Sequence, residues 1–238
     1  MGRILVCSDL HGQLDIFYKI KASLKPDDKV YFLGDAADRG QDGWQIIKEI
    51  LQDKRFKYLL GNHEDMLINA CKEYVKNEEW QWGSYNLCYM NGGEPTTKAW
   101  LEDPDRLFWL GQLFSLPTWT YIECNNRKFI LSHAGFTPWV DPKTDDIIIP
   151  STRSLIWNRD HFFDTPNDED IDTEMIMIHG HTPISNLAKR LNVPIPEGAL
   201  WYSNNMKCCI DCGTAFTGKA ILLDLATLEY ETFYSGDV

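Results

Sequence analysis

Five of the six histidines in this 238-residue chain lie in short motifs that also contain aspartate, asparagine or glycine. In chain order the motifs are DLHG (9–12), GDAADRG (34–40), GNHE (61–64), HAG (133–135) and HGHTP (179–183). The GDAADRG motif contains two aspartates and no histidine. Imidazole nitrogens and carboxylate or amide oxygens are ligands that suit Mn, Fe, Zn or Mg, and none of these motifs contains a thiolate. The sequence therefore predicts a metal site built from nitrogen and oxygen ligands.

Each motif follows a short apolar run of the kind that forms a buried strand. The runs cover residues 3–8, 29–33, 57–60, 128–131 and 175–178. Open α/β folds bind their ligands at the carboxyl ends of strands, and the adjacent glycines allow tight turns and close backbone approach. We therefore expect these strand ends to meet in one place.

Asp35 lies in the second motif, between the other ligand clusters. A carboxylate shared between two ions about 3.5–4 Å apart is a common way to build a two-metal site. The order of the motifs thus makes Asp35 the natural bridging residue.

The rest of the chain predicts one α/β domain spanning residues 1–238. Helical spacing of apolar residues follows the first strands, and strands alternating with helices imply a sheet with helical layers. Further strand predictions cover 118–122, 207–210, 220–225 and 229–233. The Trp-rich segment 78–119 is predicted to be helical, with a turn at the NGG of residues 91–93. Residues 141–150 and 164–174 are predicted to be exposed loops.

The formal net charge of −12 argues against nucleic acid as a partner, because binding a phosphate backbone needs a basic face. It would also repel a phosphorylated substrate unless bound cations reverse the local field. An apolar run long enough for a membrane span is missing, and the amino terminus does not resemble a signal peptide, so we expect a cytoplasmic location. The seven cysteines include a CxxC at Cys209 and Cys212, which we interpret as reduced thiols packed in a strand.

The ordered motifs DxH, GDxxDRG, GNHE, HAG and GHTP resemble those of the calcineurin-like metallophosphoesterases. The DRG and GNHE elements are similar to those of the phosphoprotein phosphatase branch, in particular its small bacterial and lambda-type phage Ser/Thr phosphatases. The resemblance runs from Asp9 to Gly213 and includes IWNR (156–159) and IDCGT (210–214). It implies a central β-sandwich flanked by helices, in the order α/β/β/α, with residues 78–119 inserted as a helical cap.

The resemblance also implies a role for each motif residue. Two divalent ions, with Mn²⁺ the first choice in vitro, would be held by Asp9, His11, Asp35, Asn62, His133 and His181. Asp9, His11 and Asp35 would hold the first ion, and Asp35 would share the second with the remaining three. His63 would be the general acid and Asp38 its orienting partner. Arg39 and Arg159 would bind the phosphoryl oxygens, although Arg153 lies close enough in sequence to replace Arg159.

The implied reaction is phosphomonoester hydrolysis by in-line attack of a metal-bridging hydroxide, with a Ser/Thr-phosphorylated protein as substrate. Pro183 occupies the position where wider relatives have a further histidine ligand, which favours the phosphatase branch. His179 matches no ligand position and is interpreted as a packing or supporting residue.

Two rival functions remain open. The first is a symmetrical dinucleoside tetraphosphate hydrolase, in which aromatic residues of the cap stack on a nucleobase; these are Trp80, Trp82, Tyr85, Tyr89 and Trp100. Such aromatics more often pack the cap itself. The second is a phosphopeptide-binding module without activity, which the complete set of motif residues disfavours.

Overall fold

Two five-stranded sheets form the framework of this computed structural model, which describes residues 2–141, 143–144, 146–163 and 175–236. In chain order the strands are β1 (Ile4–Cys7), β2 (Lys29–Phe32), β3 (Phe56–Tyr58), β4 (Trp119–Cys124), β5 (Arg127–Ser132), β6 (Trp139–Val140), β7 (Ile147–Ile148), β8 (Met175–His179), β9 (Leu200–Tyr202), β10 (Lys207–Cys209), β11 (Lys219–Asp224) and β12 (Tyr230–Tyr234). The helices are α1 (Leu14–Ser23), α2 (Gly43–Gln52), α3 (Asn62–Asn77), α4 (Trp82–Met90), α5 (Glu94–Glu102), α6 (Arg106–Phe114), α7 (Thr152–Trp157), α8 (Ile184–Leu191) and α9 (Thr214–Thr217), with a 3₁₀ turn at His161–Phe163.

Both sheets have five strands, but the parallel strands lie at one edge of the first sheet and in the middle of the second. The first has the order β12-β11-β1-β2-β3, and the second has the order β4-β5-β8-β10-β9. Three neighbouring strands run parallel in each sheet, β1, β2 and β3 in the first and β5, β8 and β10 in the second. Antiparallel strands complete both sheets. Since carboxyl ends of parallel strands lie at one edge, each sheet presents three such ends.

A buried apolar layer joins the sheets face to face. Val6 and Leu33 from the first sheet pack in one cluster with Phe129, Leu131 and Ile178 from the second. The short apolar runs at β1 and β5 lie between layers, which explains why they lack the alternation of a half-exposed strand.

Helices cover the outer faces of both sheets. Helix α2 buries Trp44, Ile46, Ile47 and Ile50, which recur at helical spacing and join the cluster beneath the first sheet. Helix α8 packs its apolar side against residues of β9 and β10. The α/β/β/α arrangement expected from the resemblance is thus confirmed.

Most strand predictions agree with the structure to within two residues at each end. The sequence reading missed β9, which is only three residues long and follows a stretch with two prolines. Its prediction of an exposed loop at 141–150 was wrong at residues 147–148, which form β7 and pair with β6 at residues 139–140. The predicted loop at 164–174 lies outside the described residues.

The Trp-rich segment is helical, as predicted. Helices α4, α5 and α6 occupy residues 82–114, and we call them the cap helices. Helix α4 packs on α3, and α5 packs on α2. The NGG turn at residues 91–93 joins α4 to α5.

Candidate metal centre

The five motifs meet at the carboxyl ends of the parallel strands of both sheets. Asp9 and His11 follow β1, Asp35 follows β2, and Asn62 and His63 begin the helix after β3. From the second sheet, His133 follows β5 and His181 follows β8. All seven side chains are buried. The structure therefore brings together every residue that the resemblance named as a metal ligand.

Asp35 lies at the centre of this group. Its Oδ2 atom is 3.4 Å from Nε2 of His133, 3.7 Å from Nε2 of His11 and 3.8 Å from Nε2 of His63. Two triads with ligand atoms within 4.8 Å of one another share it, one with His11 and His63 and one with His133 and His181. A shared carboxylate between two sets of donors is the arrangement that a two-metal site needs.

The second triad presents lone pairs rather than protons to its centre. Nδ1 of His133 lies 2.7 Å from the carbonyl oxygen of Leu33, so that nitrogen must carry the proton of a neutral ring. Its Nε2 atom then faces Asn62 Oδ1 at 2.9 Å and His181 Nδ1 at 3.1 Å, and Oδ1 of Asn62 is 2.8 Å from Nδ1 of His181. Buried electron-pair donors that converge in this way fit a cation between them.

His11, in the first triad, is oriented by the same kind of hydrogen bond as His133. Its Nδ1 donates to the carbonyl oxygen of Ala37 at 2.9 Å, which leaves Nε2 pointing towards the carboxylates. The carboxylate of Asp9 is 4.0 Å from that nitrogen and accepts hydrogen bonds from the backbone N–H of His181 and the hydroxyl of Ser8. Backbone anchoring of the distal ring nitrogen is typical of metal-ligating histidines.

The electrostatics of the group also favour a cation. Burial raises the pKa of Asp9 and of Asp35 well above the usual range, and repulsion from Asp211 adds to the effect on Asp9 as repulsion from Asp9 does on Asp35. Burial lowers the pKa of His133 to about 3 and those of His11 and His181 well below the ordinary value. The imidazoles are therefore neutral donors, and the charge of Arg39 only partly offsets the rise in the pKa of the two carboxylates, so divalent ions would stabilise their ionised forms.

His63 is held differently from the other rings. Its Nδ1 donates to Oδ2 of Asp38 at 2.7 Å, and both side chains are fully buried. Its Nε2 faces the shared carboxylate of Asp35. Nε2 of His63 is thus placed to serve either as a metal ligand or as a proton donor. His63 differs from His11 and His133 in that a carboxylate, rather than a backbone carbonyl, binds its Nδ1.

The two arginines contact different residues around the centre. Nη1 of Arg39 is 2.9 Å from Nε2 of His11, and its Nη2 is 3.1 Å from Nε2 of His63. Nε of Arg159 donates to the hydroxyl of Thr182 at 3.1 Å. Burial lowers the pKa of Arg159, and the metal-site carboxylates are among the charges that act on it. Arg153 is exposed, so Arg159 is the better placed of the two candidates.

The motif backbone adopts a conformation that side chains disfavour. The φ angles lie between 45° and 70° at Asp9, His11, Asp35, Asp38, Arg39 and His181. Such left-handed residues cost on the order of 1–3 kcal/mol each and persist where surrounding structure enforces them. Gly180 is required for a steric reason, because a Cβ at this position would collide with the side chains of Ser8 and Asp9.

Glu64 is a supporting residue to which the sequence assigned no role. Its buried carboxylate accepts hydrogen bonds from four backbone N–H groups, at Asp35 (2.7 Å), Ala36 (2.9 Å), Ala37 (3.1 Å) and Gly61 (3.1 Å). It therefore fixes the turn that carries Asp35. The available signal was its place three residues after Gly61 at the start of α3, which is the glutamate position of a capping box.

Asp211 is a second residue that the sequence reading quoted without a role. It follows β10, the third parallel strand of the second sheet, and is buried. Burial raises its pKa to about 6, and its Oδ1 accepts from the N–H of Gly213 at 2.7 Å. Its charge acts on Asp9. The two sheets are thus used alike, with a polar residue after every parallel strand.

His179 lies behind the centre rather than in it. Its Nε2 is 2.7 Å from the hydroxyl of Tyr202, and that hydroxyl is 3.3 Å from Nε2 of His161. This agrees with the interpretation of His179 as a supporting residue. Cys209 and Cys212 are free thiols, and Sγ of Cys209 donates to the carbonyl oxygen of Thr182 at 3.2 Å.

The aromatic residues of the cap helices mostly contact one another. Trp80 stacks on Tyr85 with ring centroids 4.6 Å apart, and Trp100 is fully buried beside Trp80. Exposed aromatic rings on these helices are those of Trp82 (80%), Tyr89 (46%), Phe108 (59%) and Phe114 (46%). Packing of the cap therefore accounts for most of this group.

Comparison with known proteins agrees with this geometry. The profile of the calcineurin-like phosphoesterase family matches residues 2–210, and the chain belongs to that family. A segment of 82 residues, 31% of the chain, is 41% identical to the human "Serine/threonine-protein phosphatase with EF-hands 2". A segment of 114 residues, 45% of the chain, is 32% identical to the phosphatase PP1-delta of Caenorhabditis elegans. These matches span 11% and 33% of the relatives' own lengths.

Solved structures show the same fold. A putative diadenosine tetraphosphatase aligns with a TM-score of 0.62 at 14% identity, over 100% of this chain and 95% of that one. A protein Ser/Thr phosphatase from Saccharomyces cerevisiae with similarity to human PP5 aligns with a TM-score of 0.56 at 17% identity, over 100% and 81%. Among the described residues, none of the helices is long and apolar enough to cross a bilayer.

Proposed function

We propose that the chain is a phosphomonoesterase that uses two divalent ions and acts on Ser/Thr-phosphorylated proteins or peptides. The observation that carries this proposal is the shared position of Asp35 between two groups of buried donors, beside the His63–Asp38 pair. Its sequence relatives with 41% and 32% identity are named as Ser/Thr phosphatases, which supports the substrate class.

In the proposed site, Asp9, His11 and Asp35 hold one ion. Asp35 shares the other ion with Asn62, His133 and His181. When bound, the ions would neutralise charge on the phosphoryl oxygens and make water acidic enough to act as a nucleophile. Mn²⁺ is the ion we expect to support activity in vitro, and Fe, Zn or Mg would also suit these donors.

The chain's own side chains then bind the phosphate and move a proton. Arg39 and Arg159 flank the centre, and the planar guanidinium can donate two parallel hydrogen bonds to phosphoryl oxygens. The alkoxide that leaves from a serine or threonine ester is strongly basic and needs a proton. His63 would donate it from Nε2, while Asp38 holds the ring at Nδ1 and balances its charge. Such an acid contributes about 10²–10⁴-fold.

A dinucleoside polyphosphate is the second candidate substrate. The exposed ring of Trp82 on α4 favours it, because an exposed aromatic face can stack on a nucleobase. For either substrate, we propose that the cap helices contact it. We also propose that the chain is a single domain, that it is located in the cytoplasm and that it does not bind nucleic acid.

A substrate panel with Mn²⁺ present separates these functions. It contains a phosphoserine peptide, diadenosine tetraphosphate and bis-p-nitrophenyl phosphate, and kcat/KM is measured for each. We expect the peptide to be hydrolysed with the highest kcat/KM. Faster cleavage of diadenosine tetraphosphate would replace the first function by the second, and no hydrolysis of any of the three would reject both.

A further inference from the structure

The backbone N–H groups of Asp38 and Arg39 are bound by residues of the cap helices, whereas Ala37 and Gly40 on either side of them are hydrogen-bonded to His11 in the loop after β1. Both residues have left-handed φ angles, 70° and 65°, and both lie outside any helix or strand. The N–H of Asp38 donates to the hydroxyl oxygen of Thr96 at 2.9 Å. The N–H of Arg39 donates to the carbonyl oxygen of Gly92 at 2.8 Å. Both acceptors belong to the turn and first residues of α5, so the cap helices hold these two residues.

Thr96 makes its contact in a tightly enclosed place. Thr96 and Asp38 are both fully buried. A Cβ at Gly43 would lie 2.9 Å from Asp38 N and 2.9 Å from Thr96 Oγ1, so the glycine at the start of α2 leaves room for this hydrogen bond. Solvent therefore cannot replace the hydroxyl if it is removed.

The carboxylate of Asp38 has few other restraints. Its Oδ2 accepts from His63, while Oδ1 is buried and has no hydrogen-bond partner within the part of the chain that the structure describes. The position of the carboxylate is thus set by its backbone, and the backbone N–H is fixed by Thr96. A shift of the loop would move Asp38 and, with it, the ring of His63.

We propose that Thr96 is a positioning residue for the acid His63 and acts through Asp38. This proposal rests on the proposed function. Besides contacting the substrate, the cap helices would then stabilise the strained conformation of the loop that contains Asp38 and Arg39. Within the described part of the chain, the hydrogen bond of the Thr96 hydroxyl goes to Asp38 and not to a proposed metal ligand.

Thr97 provides a matched control. It follows Thr96 on α5 and is also buried, with 1% exposed. Its hydroxyl donates within its own helix, to the carbonyl oxygens of Gly93 and Glu94 at 3.0 Å each, and it neighbours Tyr85. A valine at either position keeps the shape of the side chain and removes only the hydroxyl.

The test compares Thr96→Val, Thr96→Ser and Thr97→Val with the wild-type protein, all loaded with Mn²⁺. Each is assayed on a phosphoserine peptide, whose leaving group needs a proton, and on p-nitrophenyl phosphate, whose leaving group does not. We expect Thr96→Val to lower kcat on the peptide by about tenfold, which is part of the contribution of the general acid. KM and metal content should not change. On p-nitrophenyl phosphate its kcat should change less than twofold. Thr96→Ser should restore the peptide rate, and Thr97→Val should match the wild type.

A second measurement does not depend on activity. In wild-type protein loaded with diamagnetic Zn²⁺, the proton between His63 and Asp38 should give a downfield proton NMR signal, identified by its loss in His63→Asn. Mn²⁺ is not used here because it is paramagnetic and would broaden the signal. Thr96→Val should shift or broaden that signal, and Thr97→Val should not. If Thr96→Val does not fold, Thr96→Ala takes its place in both measurements.

Several outcomes would overturn the proposal. Equal losses on both substrates, or loss of bound metal, would mean that Thr96 only stabilises the fold. Unchanged kinetics together with an unchanged NMR signal would mean that the hydrogen bond does not position Asp38. A wild-type protein that hydrolyses neither substrate would instead reject the proposed function, and the role of Thr96 with it.

Discussion

Three of the histidines around Asp35 are held in two different ways. His11 and His133 donate from Nδ1 to backbone carbonyl oxygens, whereas His63 donates from Nδ1 to the carboxylate of Asp38. A carbonyl fixes the orientation of a ring without balancing a positive charge on it. A carboxylate does both. Three rings of one type in one cluster can therefore differ in function because of the group behind each ring.

The difference divides the site into a binding side and a proton-donating side. Burial lowers the pKa of His133 to about 3, so this ring is neutral at physiological pH and can only offer a lone pair. The proton-donating side is the one that the cap helices contact, through Thr96 and Gly92. The four predictions that follow change one side at a time, in order of decreasing effect.

Asp35→Asn should have the largest effect. The carboxylate is shared by both triads, so its loss removes a charged ligand from each ion. We expect neither ion to be retained after desalting and no phosphatase activity above background. Metal analysis and a p-nitrophenyl phosphate assay check this, and an active variant that binds two ions would show that Asp35 does not bridge.

His63→Asn should separate the two sides. We expect it to retain both ions, because the binding side is intact, and to lose about 10²–10⁴-fold in kcat on a phosphoserine peptide. The loss on p-nitrophenyl phosphate should be much smaller. Loss of one ion in this variant would instead make His63 a ligand, and equal losses on the two substrates would rule out its role as acid.

Glu64→Gln should weaken the binding of both ions. The amide would place N–H groups against the backbone donors of Asp35, Ala36 and Ala37, which the carboxylate now satisfies. Supporting residues of metal sites typically change metal affinity by about 10–100-fold, and we expect a loss in that range by calorimetric titration with Mn²⁺. The control is Glu73→Gln, a carboxylate of the same helix that accepts from Ser84. Equal affinities in the two variants would contradict the role of Glu64.

His179→Gln should have the smallest effect on the site. Loss of the ring removes the 2.7 Å hydrogen bond to the buried hydroxyl of Tyr202, which keeps its contact with His161, and we expect a cost of about 0.5–1.5 kcal/mol in the free energy of unfolding. Metal content should stay at two ions per chain. His181→Gln, two residues further on, should lose the second ion. If His179→Gln also loses an ion, the two histidines have not been distinguished correctly.

The fold could be predicted from the sequence where local signals were strong. The apolar runs before each motif identified the central strands, and helical spacing identified α2. The hairpin of β6 and β7 was missed because its strands are two residues long in a polar stretch. Strand β9 was missed because three residues carry too little periodicity to be recognised.

The sequence indicated which residues meet at the candidate metal centre but not which residues support them. Each motif lies beside a glycine at the end of an apolar run, and the resemblance implied the role of each residue in it. Glu64 acts on residues 27–29 positions away, and Thr96 acts on a residue 58 positions away. Such contacts depend on how α3 and α5 pack, and no local pattern reports them. The resemblance already set His63 apart as the general acid, and the structure adds its 2.7 Å contact with Asp38.

The central claim is that two divalent ions, both bound through Asp35, are required for phosphatase activity. The most direct measurement prepares metal-free protein, titrates Mn²⁺, and follows bound metal and the rate of phosphoserine-peptide hydrolysis in the same samples. We predict that the rate rises with bound metal and reaches its maximum at two ions per chain, and that Asp35→Asn shows neither. Full activity at one ion or without metal would contradict the claim, as would two bound ions without hydrolysis.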